Sequence, residues 1–500
     1  MKIDVLLVHP QYHRRRGSGV IPPLGLAYIA ASLESQGFTV AILDCALDCA
    51  CQSTAGLAQF RAYLDAQLPR FQPTTCVGVG PTTTPALKSL VILSAALQDH
   101  YPALPIVYGG PFASIPSQAP IFFEQLGATA LMRGEGEETF PKLARALKKG
   151  AIAAPIESVA WQPSQVVPAA VSQNINAIRF PARHLLANQR YQPSLRRDIF
   201  DGPMTPIYGS RGCPYRCSFC VSPTLRDNRY YRRSPENLFA EMRQCVSQFG
   251  ITGFIFYDDC LFLTSAQLND EVQDFCQGLL TAVGEVRWEM ELRGDAIAAL
   301  NPESLHWLYR AGCRQINVGI EKATNLSLQT LQKQLQVDEV IQACRQVKAT
   351  VPELRLAGTF ILGGAGETEA DVAAVIEFAR SLPLDYAHFN PLMIYPGTAL
   401  FTDYFGVDAS PTAWTQKILN DPENVLGEII YQTPALPAQR LLELTQQAYE
   451  TFYDERHWSP PVSVESGAAT VTSAQQTTQQ WRRDRFQLLT PESTLPSQAV

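Results

Sequence analysis

Cys213, Cys217 and Cys220 fall within Gly209-Ser-Arg-Gly-Cys-Pro-Tyr-Arg-Cys-Ser-Phe-Cys220, spaced C-x3-C-x2-C. Three thiols this close cannot all pair as disulfides, because one is always left over. Structural zinc wants a closed set of four ligands, and no further Cys or His stands nearby at suitable spacing. Three thiolates can instead hold three irons of a cubane cluster and leave the fourth iron open, where chemistry happens. Arg211 and Arg216 put positive charge beside such an anionic cluster, and loop N–H groups can tune its potential. A second group, Cys45, Cys49 and Cys51, is spaced C-x3-C-x-C and fits no metal pattern; these and Cys76 read as ordinary thiols.

The loop needs elements to hold it. Met204 to Tyr208 reads as a short strand before it, and Ser234-Pro-Glu-Asn opens a helical pattern after it. Strands with polar or glycine-rich ends then recur: Phe254 to Tyr257 before Asp258 and Asp259, Val286 to Glu291 before Arg293, and Gln315 to Gly319 before Glu321. Arg355 to Leu362 precedes Gly363 and Gly364, and Tyr386 to Leu392 precedes Tyr395-Pro-Gly-Thr. Helical patterns begin between them near Ser265, Pro302, Leu326 and Glu367. Six repeats of strand then helix after the loop predict a parallel, partly closed barrel over 204–400, with its site at the strand carboxyl ends.

Upstream, Ile3 to Val8, Phe38 to Leu43, Thr75 to Gly80, Ile106 to Tyr108 and Thr129 to Arg133 alternate with helical patterns. This predicts a doubly wound parallel sheet over 1–150, with a ligand at its strand ends. Those ends carry Thr82, Thr83, Gly109, Gly110 and Gly134, and glycines there let a bulky flat ligand approach the backbone. Residues 151–203 form a connector, with a small hairpin expected from Ser158–Trp161 and Gln165–Pro168. Residues 401–458 read as helical, amphipathic over Gln439 to Tyr453, and are expected to cover the open side of the barrel. The Ser/Thr/Gln/Pro-rich stretch 459–500 reads as a disordered tail.

The cysteine loop, with its flanking glycines and with Phe219 before the third cysteine, resembles the cluster motif of the radical S-adenosylmethionine (SAM) superfamily. The resemblance implies a 4Fe–4S cluster on the three cysteines, its open iron chelated by the amino and carboxylate groups of SAM. An electron, from a donor such as flavodoxin or ferredoxin, then cleaves SAM to methionine and a 5′-deoxyadenosyl radical. It also implies SAM contacts at Phe219 and Tyr257, at Asp258 or Asp259 to the ammonium, at Arg293 to the carboxylate, at Glu321 to the ribose or amino group, and at Gly363 and Gly364 near the adenosine. Residue chemistry alone also allows a helix N-cap for the aspartates and a rim salt bridge for Arg293.

The first domain resembles the cobalamin-binding domain fused to many radical SAM enzymes, through Pro22-Pro-Leu-Gly-Leu, the Thr82 region, Gly109-Gly-Pro and Arg133-Gly-Glu-Gly-Glu. This implies cobalamin near Pro23, Leu24, Gly25, Thr82, Thr83, Gly109, Gly110, Gly134 and Glu135. The Asp-x-His-x-x-Gly loop that ligates cobalt in methionine-synthase-type domains has no counterpart; His9 lacks the spacing and reads as a strand-end surface residue. The implied function is methylation of an unactivated carbon or phosphorus of a small molecule, while the same family includes cyclases and oxidases. A tRNA methylthiotransferase would carry other cysteines in its first domain and a basic C-terminal domain. A non-catalytic cobalamin sensor would not need the intact cysteine triad.

With 500 residues and a formal net charge of −7, the chain is long enough for two or three domains and shows no basic patch for nucleic acid. No apolar run is long enough to span a bilayer, and no signal peptide precedes Met1-Lys-Ile-Asp. Twelve cysteines without such a signal suggest a reducing, cytoplasmic setting, which suits an oxygen-sensitive cluster.

Overall fold

The computed structural model describes residues 1–12, 20–49, 54–191, 199–200, 202–406, 410–421, 424 and 429–454; Cys51 and the stretch 459–500 lie outside them. The first sheet comprises β1 (Lys2–His9), β2 (Val40–Asp44), β3 (Gln72–Val79), β4 (Ile106–Tyr108), β5 (Ala130–Met132) and β6 (Val159–Ala160), in the order β2-β1-β3-β4-β5-β6. β1 shows why it is doubly wound. Leu6 and Val8 enter the core on one face, and Val5 and Leu7 enter that on the other. A stretch covered on both sides is apolar at successive positions, as Val5 to Val8 are.

The expected hairpin after residue 150 does not form. Val159 and Ala160 instead pair antiparallel with Met132 and Leu131, carrying the first sheet past that boundary. Joining an existing sheet stabilises a short strand more than an isolated two-stranded hairpin does.

The second sheet is all parallel and runs in chain order from β7 (Met204–Ile207) through β10 (Gly253–Phe256), β11 (Arg287–Arg293), β12 (Cys313–Glu321) and β13 (Arg355–Leu362) to β14 (Tyr386–Pro391). The first of its six strands therefore precedes the cysteine loop instead of following it. Between β7 and β10, β8 (Ser210–Arg211) and β9 (Tyr231–Arg232) form a two-stranded ribbon. The helix Pro235–Phe249 shows strong local encoding. Ser234 accepts from the Asn237 N–H, Pro235 fills the first turn, and Gly250 ends it at φ 65°.

The sheet ends at β14, whose outer edge would expose backbone groups. The helix Ala438–Phe452 and the residue after it close that edge. The Tyr453 hydroxyl accepts from the Ala387 N–H at 3.0 Å and donates to the Ala387 carbonyl at 2.9 Å, and the Tyr449 hydroxyl accepts from the Phe389 N–H at 3.0 Å. The amphipathic helix thus seals a strand edge. Tyr453→Phe is expected to cost about 1–3 kcal/mol, because it strands buried backbone groups. Urea denaturation, together with faster hydrogen exchange at the Ala387 amide, checks this.

The preceding helix, Pro411–Asn420, reaches the first domain. Trp414 lies 6.3 Å from Phe112 between ring centroids, and Thr415 Oγ1 donates to Gln118 Oε1 at 2.6 Å. No helix among the described residues is long and apolar enough to cross a membrane.

Candidate active site

The cysteine loop leaves β7 and is braced from several elements. The Gly209 N–H donates to Asp258 Oδ2 at 3.1 Å, Ser210 Oγ donates to Asp258 Oδ1 at 2.5 Å, and the Ser218 N–H donates to the Leu331 carbonyl at 2.9 Å. All three cysteines are free, half-buried thiols. Burial pushes each thiol up, Cys220 to about 12. Such thiols keep their protons in neutral water, and iron would take the proton's place. The Ser222 N–H points at Cys220 Sγ from 3.4 Å, a bond that stabilises a thiolate. No three His, Cys, Asp or Glu among the described residues are placed to share one metal ion. A cubane requires a different arrangement, with one thiolate per iron.

The residues expected around SAM do meet at the strand ends, in two groups. Asp259, Tyr257 and Phe219 stay accessible or half-buried. The Asp259 carboxylate accepts from Ser222 Oγ at 2.8 Å and lies 3.6 Å from Arg226. Tyr257 is exposed beside Tyr208, and Phe219 packs against the small cluster of Leu331, Ile361, Leu392 and Leu400.

The others are committed within the protein. Asp258 is buried and turned toward Gly209 and Ser210; burial raises it to about 7 against those hydrogen bonds. Its carboxylate holds the loop, in contrast to the expected ammonium contact. The Arg293 guanidinium lies 3.6 Å over the Tyr215 ring and pairs with Asp295 at 2.9 Å. Glu321, at φ 68°, pairs with Lys333 at 2.7 Å. Lys322 Nζ donates to the Gly363 carbonyl at 2.8 Å and pairs with Glu367 at 2.7 Å, which fixes the Gly363-Gly364 turn. A cavity of about 450 Å³ opens among the strand starts at Gly253, Arg287 and Gly312, the opposite end of the barrel from this site.

In the first domain, several residues expected at a ligand instead hold the chain together. Thr82 is fully buried; its hydroxyl donates to the Gly109 carbonyl at 3.0 Å and accepts from the Ala113 N–H at 3.1 Å. Gly110 (φ 110°) and Gly134 (φ 81°) admit neighbouring backbone, not a ligand: a Cβ would lie 2.5 Å from Thr82 N and 2.2 Å from the Ala170 oxygen. Gly109 faces Met132 at 3.3 Å, while Pro23 and Leu24 are buried and Gly25 opens onto free space. Thr83 is half-buried beside them. His9 is 5% exposed, so it is no surface residue. Its Nδ1 lies 2.7 Å from Asp44 Oδ1, and Asp44 Oδ2 accepts from the Tyr191 hydroxyl at 2.7 Å.

The two strand-end faces are joined directly. Arg211, within the cysteine loop, pairs with Glu135 at 3.1 Å and Glu137 at 2.6 Å, and Arg226 reaches Glu135 at 3.4 Å. Glu135 is thus spent on the domain contact, and the charge of Arg211 is answered there instead of standing free for a cluster. Behind them, Arg183 and Arg233 each pair with Glu241 at 2.6 Å. Arg183 also donates to the Pro206 carbonyl at 3.1 Å, and the Tyr28 hydroxyl lies 3.5 Å from Glu241. Sequence reading missed Arg183, Arg233, Glu241 and Lys333, whose partners lie far along the chain. Lys322 carried a signal, since it directly follows Glu321 at the strand end.

Comparison with known proteins agrees with this architecture. Residues 207–379 match the radical SAM superfamily, and residues 15–144 match the B12 binding domain. An uncharacterized methyltransferase of Pyrococcus horikoshii is 27% identical over 91% of this chain and 92% of its own length. The anaerobic magnesium-protoporphyrin IX monomethyl ester cyclase of Rubrivivax gelatinosus is 26% identical, over 80% of this chain and 69% of its own. The structure of the radical SAM methyltransferase TsrM from Kitasatospora setae, with cobalamin and a [4Fe–4S] cluster bound, shares the fold at a TM-score of 0.68 and 18% identity, over 97% of this chain and 99% of that one. The radical SAM domain implies a 4Fe–4S cluster and SAM, and the B12 binding domain implies cobalamin. The chain thus carries a B12 binding domain followed by a radical SAM domain.

Proposed function

We propose that this enzyme transfers a methyl group from SAM to an unactivated carbon, or to phosphorus, of a small molecule. One observation carries the reading. The Arg211 bridge to Glu135 and Glu137 ties the cysteine loop to a strand-end loop of the first domain, so the two cofactor-bearing faces share one site. When bound, the cluster and SAM supply a hydrogen-abstracting radical, and cobalamin supplies a methyl carrier.

The chain's own residues divide the work. Cys213, Cys217 and Cys220 hold the cluster. Asp259 and Tyr257, both exposed, would meet the SAM ammonium. Arg293, seated on Tyr215 and paired with Asp295, would answer the SAM carboxylate. Glu321, held by Lys333, would face the ribose or amino group from the strand end, and Phe219, Gly363 and Gly364 would border the adenosine. In the first domain, Gly25, Thr83 and Gly109, which are exposed or half-buried, would border cobalamin, and the buried Pro23, Leu24 and Thr82 would support them. Flavodoxin or ferredoxin serves as electron donor, nucleic acid is not a partner, and the enzyme works in the cytoplasm.

The test is SAM with a trideuterated methyl group. Methyl transfer consumes two SAM per product, one as methyl donor and one as radical source. The product should gain the label, with S-adenosylhomocysteine and 5′-deoxyadenosine formed in equal amounts. Deoxyadenosine formed with neither label nor homocysteine adduct would favour the second reading, cyclisation or oxidation, which the likeness to the Rubrivivax cyclase supports.

A further inference from the structure

Given Cys213, Cys217 and Cys220 as the thiolates of the cluster, a buried ion pair beside their loop bears on the electron the cluster must accept. Glu321 and Lys333 pair at 2.7 Å, and both are buried. Three local features put them there. Glu321 itself has φ 68°, at a shift in the β12–β13 register. Gln332, just before Lys333, has φ 53°, which turns the chain after the helix Asn325–Thr330. Gly319 leaves the space that the pair fills: a Cβ there would lie 2.8 Å from both Lys333 Nζ and Glu321 Oε1. Left-handed backbone at residues other than glycine is costly and persists only where the surroundings over-determine it.

The same turn carries the cysteine loop. The Ser218 N–H donates to the Leu331 carbonyl at 2.9 Å, so the residue after Cys217 is tied to the chain two positions before Lys333. At Cys217 burial pushes the thiol up, and the Lys333 ammonium is the strongest pull downward; Arg293 adds to that pull, and the Glu321 carboxylate opposes it less strongly. Of the pair, the ammonium is therefore the dominant charge at the loop. An ammonium carries three N–H groups, and among the described residues only Glu321 accepts from Lys333. Arg211, by contrast, is answered by Glu135 and Glu137 across the domain contact. Reduction adds one electron, and so one negative charge, to a cluster whose potential follows net charge and nearby hydrogen bonds. A buried cation favours the reduced form, the more so where little water screens it. We propose that Lys333 sets the reduction potential of the cluster, easing the one-electron transfer by which a small electron-transfer protein is oxidised and the cluster reduced before SAM is cleaved. Glu321 holds the ammonium in place.

The test uses the full-length protein, reconstituted anaerobically with iron and sulfide. Without SAM or cobalamin, the cluster is titrated with titanium(III) citrate, and its reduced form is followed by electron paramagnetic resonance. Lys333→Met, at full iron content, should lower the reduction equilibrium constant at least tenfold, about 59 mV for one electron. Lys333→Arg should restore most of the loss. Glu321→Gln should move the potential upward, because it removes a negative charge and leaves the ammonium unanswered. Either change breaks the same contact, so a merely structural role would not shift the potential in opposite directions. An unchanged potential in Lys333→Met would overturn the proposal, as would shifts of both variants in one direction. Should Lys333→Met hold no iron, Glu321→Gln decides alone: an upward shift supports the role of Lys333, and an unchanged or lower potential overturns it. Wild-type protein that takes up no iron would instead overturn the assignment of the three cysteines, and this role of Lys333 with it.

Discussion

Replacing Cys213, Cys217 and Cys220 together by Ala is expected to take the reconstituted protein from about four irons and four sulfides to almost none, with loss of its brown absorbance. The effect should be all-or-none, because one cluster depends on three thiolates from one short loop. SAM cleavage should fall below detection with it. The fold should survive, since the loop is also held by Asp258, by the β8–β9 ribbon and by the Leu331 carbonyl, none of which needs metal. Cys45 and Cys49 provide the control. Cys45 is buried in the first domain, and Cys49 accepts from Gln11 Nε2 through its carbonyl at 2.8 Å. Their replacement should leave iron content unchanged. A triple variant that kept its full iron would refute the assignment of the cysteines.

The second large effect is expected at Glu241. It is fully buried and holds two buried guanidiniums, Arg183 from the connector and Arg233 from the segment after β9. Glu241→Ala would leave both cations unpaired, a loss of about 3–5 kcal/mol by analogy with other broken buried pairs. Limited proteolysis and the urea midpoint measure it, and cleavage should move to the connector. Glu241→Gln should cost less, because the amide oxygen still accepts. A triple change, Arg183→Met with Glu241→Leu and Arg233→Met, should recover much of the loss, since apolar residues of similar volume often replace a buried triad without penalty. Acid probes the same contact. Burial pushes the Glu241 carboxyl up, but Arg183 and Arg233 outweigh it and hold the group below its ordinary 4.5. Its contribution is therefore fully present above that value and is lost as pH falls through the lower folded value. Wild-type stability in the Ala variant would show that the triad does not join the domains.

The local parts of this protein were legible in its sequence. The cysteine spacing, the alternation of strand and helix and the polar residues at strand ends depend on neighbours a few positions apart. Periodicity and ligand chemistry act over that range. The order of the six parallel strands followed, because right-handed crossovers leave little choice once the units are counted. What only the tertiary structure decided is where each charge is spent. Arg211 stood in the sequence as a neighbour of the cluster, but it faces Glu135 and Glu137 of the other domain. Asp258 stood as a SAM ligand, but it holds the loop backbone. Gly110 and Gly134 stood as room for a cofactor, but they make room for Thr82 and Ala170. His9 stood as a surface residue, but it lies buried on Asp44. The reason is common to all four. A charge, a buried hydrogen bond or a missing Cβ is satisfied by whatever the topology brings within a few ångströms, and those partners come from elements far apart along the chain.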